Sequence, residues 1–122
     1  MYPDLQNLPE KLNQEQKLVA ATIAQIKKDF LNNGLELALE ADSAIQYNSL
    51  VAELAESIEW LFENDRHRLM QLLYRIDLPE FRLAEILSST EETAVCKALA
   101  DLIVRREAQK VIIRNFYSPG TN

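Results

Sequence analysis

Between Tyr47 and Phe62 the apolar residues fall at Tyr47, Leu50, Val51, Leu54, Ile58, Leu61 and Phe62. Spacings of three and four gather them on one side of an α-helix and on neither face of a strand. The same periodicity recurs along most of the chain. Only two glycines and four prolines punctuate 122 residues, and the abundant Ala, Leu, Glu, Gln and Lys lose little backbone or rotamer freedom in a helix. These features predict an all-α fold: a single-domain bundle of about five helices with a long C-terminal helix. A chain of this length can bury a core without disulfides or metals.

The boundaries follow from caps and breakers. Pro3 and Pro9 mark residues 1–12 as an extended lead-in. The first helix is expected from Asn13 to Asn32, with Val19, Ile23, Ile26 and Phe30 as its seam and Gly34 as its stop. Residues 35–40 alternate in hydropathy. A lone strand has nothing to pair with, so they read as an extended connector laying Leu35, Leu37 and Leu39 on the core, with a short helix or a strand across a dimer as alternatives. Ser43 with Gln46 forms a capping box for a second helix, about 44–63. Asn64 and Asp65 break it and cap a third, about 66–76, burying Leu69, Leu72, Leu73 and Ile76. Asp77 and Glu80 start a short fourth helix through Leu87. Ser89 and Glu92 cap the fifth, which runs from about Thr90 to Phe116, and residues 117–122 form a mobile tail.

Trp60 lies opposite the stripe of its own helix, since successive residues turn by about 100°. It shares that side with Glu53, Glu56 and Glu63. A large aromatic among acids is either a second packing surface, against the first helix or the lead-in, or an anchor for a basic partner through cation–π and ionic contact.

The last helix carries more apolar surface than one face holds. Val95, Ala98, Leu99 and Leu102 share one side, while Val104, Ala108, Val111 and Ile112 cluster on another. Such a helix must be covered over most of its circumference, by central burial or by another subunit. Four short helices cover a second face with difficulty, so the expectation is a homodimer joined through Val104, Ala108, Val111 and Ile112. Arg106 interrupts the first face and is expected to pair with a carboxylate, with Asp77, Glu59 and a symmetry mate's Glu107 as candidates.

Charge is uneven along the chain. Residues 1–61 hold four Lys/Arg against ten Asp/Glu, residues 62–122 hold nine of each, and the net charge is −6. An acidic half argues against phosphate-backbone binding and suits a basic protein surface or a basic part of a second copy. Lys97, Arg105, Arg106, Lys110 and Arg114 make the last helix mildly basic, which keeps a nucleic-acid-associated regulator as a minor alternative. No apolar run approaches the roughly 20 residues that cross a bilayer. The start lacks the pattern of a signal peptide, and a single Cys96 fits a reducing cytoplasm.

No catalytic or metal-binding constellation emerges, and no cofactor is implied. His67 is the only histidine, and the helix break at Asn64–Asp65 separates it from Glu63. Cys96 lacks a base and reads as a small core residue. No glycine-rich phosphate loop exists. The functional expectation is a non-enzymatic cytoplasmic interaction or adaptor protein. The alternative is a small-molecule- or metal-binding protein with an interhelical pocket built from Glu59, His67, Tyr74 and Arg106.

Overall fold

The computed structural model describes residues 7–37, 39 and 45–116, the last of these by its backbone alone. All regular structure among them is helical: α1 (Leu8–Gln14), α2 (Gln16–Asn32), α3 (Tyr47–Asn64), α4 (Arg66–Arg75), α5 (Glu80–Leu87) and α6 (Glu92–Phe116). The expected capping residue Ser43, the first six residues of the lead-in and the tail at 117–122 lie outside the described residues.

Helix α1 corrects the expectation of an extended start. Pro9 stands in the first turn, where a missing N–H removes no intrahelical bond and the fixed φ suits the helix. Leu8 and Leu12, one turn apart, are both buried. Glu15 then adopts an extended backbone and separates α1 from α2. Asn13, just before that break, accepts the Tyr47 backbone N–H on its Oδ1 at 2.7 Å. A residue remote in sequence therefore satisfies the start of α3, which begins at Tyr47 rather than near residue 44.

Gly34 ends the first long helix as expected. Its φ of +76° lets the Leu35 N–H turn back to the Phe30 carbonyl at 2.9 Å and the Gly34 N–H to that of Leu31 at 2.9 Å, a left-handed helix stop that favours glycine. A Cβ there would lie 3.4 Å from Arg68 Nη1, so strain comes mainly from the backbone. Gly34→Ala is expected to cost about 1 kcal/mol and to lower the thermal midpoint by roughly 4 °C in a circular-dichroism melt. Beyond the turn the chain is non-helical at 35–37, and it lays Leu35, Leu37 and the buried Leu39 against the core.

Two further caps differ from expectation. Asp65 does cap α4, accepting the Arg68 N–H. Asp77 does not cap α5; it takes a left-handed φ of +67° after α4, and Pro79 precedes the first turn of α5. At α6 the Ala94 N–H goes to the Glu91 carboxylate at 2.7 Å, so Glu91 replaces Ser89 as the side-chain cap.

Helix α6 is the mast of the fold. It packs along α3 and α2 and also meets α5 and α1. Its buried residues include Val95, Leu99, Ile103, Val104, Ala108 and Val111, which at about 100° per residue sweep well over half its circumference. This overturns the assignment of Val104, Ala108 and Val111 to a subunit interface, because their own chain encloses them; Ile112 is half-buried against the same core. The cover that a count of four helices lacked includes α1, through Leu8 and Leu12.

Candidate interaction surfaces

Trp60 remains 62 % exposed, although α3 buries its apolar stripe as the sequence requires. It stands at the lip of a groove of about 400 Å³ between α3 and the segment after α2. Ser57, Trp60 and Leu61 form one wall, and Gly34–Leu37 form the other. Arg68 fixes the two walls, donating from Nη1 to the Gly34 carbonyl at 3.3 Å and pairing with Asp65 at 3.4 Å. Glu36 and Asp65 line the groove, and Glu56 is exposed on the Trp60 side of α3.

The predicted acidic set is only partly assembled there. Glu53 is half-buried and engaged in an interaction of its own. Glu63 turns toward α6, where its hydrogen bond to Glu92 raises the pKa of that carboxyl. Glu36 and Asp65 replace it at the groove. Neither was legible as a partner of Trp60, because the connector's path determines which acids meet the indole.

A second groove, about 350 Å³, runs between α4 and α5. Met70, Leu73, Leu78, Leu83 and Leu87 give it an apolar lining. No residue of α5 is fully buried. Tyr74 lines it and is 80 % exposed, and Phe81 on α5 is 78 % exposed.

The remaining polar groups are committed within the fold. Arg106 is half-buried and clasps the turn after α4, donating from Nε to the Asp77 carbonyl at 3.0 Å and from Nη2 to its carboxylate at 3.2 Å. Asp77 is exposed, so this clasp is a partly solvated pair rather than a buried one. Arg105 pairs with Asp101 at 3.0 Å, and Tyr47 donates its hydroxyl to the same carboxylate. Burial and that carboxylate push the Tyr47 phenol far above its ordinary pKa. Arg114 donates to Gln25 at 2.9 Å. Lys110 is paired as well, so each of these basic residues in the second half of α6 has a partner within the fold.

Between α2 and α6 lies a group that sequence reasoning missed. Glu107 is fully buried. Lys110 reaches its Oε1 at 3.0 Å and Asp29 Oδ2 at 3.7 Å. Glu107 Oε2 and Asp29 Oδ2 are both buried without a hydrogen-bond partner. Burial first, and then the neighbouring Asp29, push the Glu107 carboxyl up to about 8 against the attraction of Lys110. A proton held by Glu107 and donated to Asp29 would satisfy both oxygens. The signal was its position: Glu107 sits among Ile103, Val104, Ala108 and Val111, inside the covered arc of α6.

The interhelical pocket expected from Glu59, His67, Tyr74 and Arg106 is not assembled. His67 and Tyr74 line a shallow outer groove on α4, Glu59 meets Thr93 of α6, and Arg106 holds Asp77. Cys96 is buried, and desolvation with Glu59, Glu92 and Glu63 nearby raises its thiol to about 11, the opposite of an activated nucleophile. Among the described residues no three His, Cys, Asp or Glu side chains converge on a metal-sized space, and no helix is long and apolar enough to cross a membrane. Comparison with protein-family models, with curated proteins and with solved structures finds no match for this chain.

Proposed function

We propose that this chain is a non-enzymatic, cytoplasmic adaptor, a single helical domain that captures a basic segment of another protein in the Trp60 groove. The observation that carries this reading is the exposure of Trp60 beside a preformed groove with acids along it. A buried indole would have been packing; an exposed one leaves its π-face free for a guanidinium or ammonium group. Glu36, Glu56 and Asp65 add charge that favours a basic partner and rejects an acidic one. No basic residue falls between Lys28 and Arg66, so Arg68, already paired, is the cation nearest the indole in the groove lining.

Trp60 is the only tryptophan, so its emission reports its own site. The test is titration with a fluorescently silent amphipathic peptide carrying Arg at alternate turns, beside the same peptide with Gln in place of Arg. Arg-peptide binding should shift the emission to the blue, and polarisation with a labelled copy should show at least tenfold weaker binding to Trp60→Ala, the cost of losing a hot-spot aromatic. Equal affinity for the Gln peptide, or no loss on Trp60→Ala, would remove the basis of the proposal.

A further inference from the structure

We propose that the α4–α5 groove is the docking site for a short amphipathic helix of a partner protein, one whose apolar stripe ends in a basic residue. This is a different groove from the one beside Trp60, and the inference does not rest on that reading.

The groove is polarised along its length. Its only charged lining residues are Asp77 and Glu80, both acids, and both stand where α4 passes into α5. Arg106 engages the Asp77 carboxylate at 3.2 Å, whereas Glu80 is exposed and has no ion-pair partner among the described residues. Away from that turn the lining is apolar, through Met70 on α4 and Leu83 and Leu87 on α5, all half-buried. Carboxylates at one end of an apolar recess repel phosphates and acidic segments. They select an occupant with a cation at the matching end of an apolar body.

The open side decides what kind of molecule carries those groups. Tyr74 and Ala84 line the groove and remain exposed, so it is a trough rather than an enclosed cavity. A small molecule gains affinity by being surrounded over most of its surface, which a trough does not do. A helix needs only one side covered, because its polar side stays in water. The length agrees as well. Glu80 and Leu87 both line the trough and are seven residues apart on α5, or about 10 Å at the helical rise. A partner helix covers that distance with side chains at i, i+4 and i+7. A Lys or Arg at i then faces Glu80, and apolar residues at i+4 and i+7 enter the recess of about 350 Å³ beside Leu83 and Leu87. The small Ala84 leaves room for them on the α5 wall.

Fluorescence polarisation in a Trp60→Ala host tests this, since that host removes the indole of the other groove. The probe is a labelled helical peptide carrying Arg at i and Leu at i+4 and i+7, beside the same peptide with Glu in place of Arg. The Arg peptide should bind at least about tenfold more tightly than the Glu peptide. Ala84→Trp, at an exposed position, should fill the trough and abolish binding with an unchanged circular-dichroism melt. Glu80→Arg should invert the preference, so that the Glu peptide becomes the tighter ligand. A host that binds neither peptide overturns the proposal, as does binding that survives Ala84→Trp or a preference that Glu80→Arg leaves in place. Self-association of the protein alone that Ala84→Trp removes would give the trough to a second copy and overturn it too. Because Trp60 is absent throughout, either groove can fail without the other.

Discussion

Glu107→Gln is expected to stabilise the protein at pH 8 and to flatten most of its stability profile below that pH. The folded chain holds the Glu107 proton up to a pKa of about 8, while the unfolded chain releases it near the ordinary value of 4.5. Between those limits the folded state binds more protons than the unfolded state, so stability falls as pH rises through the window and levels off above it. Each unit of displacement is worth about 1.4 kcal/mol. Adjustment by Lys110 and Asp29 reduces the total to something on the order of 3 kcal/mol.

Gln reproduces the protonated acid: its amide nitrogen can donate to Asp29 Oδ2 while its oxygen accepts from Lys110. The variant should therefore match wild type near pH 5 and exceed it at pH 8, read from urea midpoints by far-UV circular dichroism. A wild-type profile that rises from pH 5 to 8, parallel to that of the variant, would show that Glu107 is ionised in the fold.

The second large effect concerns Val104, which has no exposed surface. Val104→Glu is expected to unfold the protein or cost at least about 4 kcal/mol, since an unpaired carboxylate enters the centre of the core. Dissociation of an assembly with the fold intact would instead mean that this face lies between subunits. Comparing Val104→Glu with Phe81→Glu in one denaturation series separates core from exposed surface. The first should lose its cooperative transition, and the second should retain it.

Much of the fold was legible because its determinants are local. The stripes of α3 and α4, the stop at Gly34 and the cap at Asp65 each depend on residues within a turn or two. Arg106 was legible as a charge that needed a partner, and Asp77 was among the carboxylates within reach. Helix α1 was obscured because Pro9 breaks a helix in its interior and favours one in its first turn, and the residues alone do not say which applies. That ambiguity propagated. Without α1 there was too little chain to enclose α6, and a second subunit became the simplest cover for Val104, Ala108 and Val111.

The candidate surfaces were less legible because each joins segments distant in sequence. The position of Trp60 on α3 was readable from its angle on the wheel, but the opposite wall is made by residues 34–37, whose path depends on tertiary packing. Glu107 reads as an ordinary surface acid between Arg106 and Lys110, and only the arrival of α2 on that side of α6 seals it from water. Phe81 was likewise unremarked, since one ring per helix carries no pattern.

Because α6 follows the other helices in the chain, it leaves the ribosome after all of them. The stripes of α2 and α3 then wait for the surface that closes them, and a chain whose synthesis is interrupted before residue 92 carries exposed hydrophobic faces with no place to go. Chaperone engagement should accordingly peak on such unfinished chains and subside once α6 has cleared the exit tunnel.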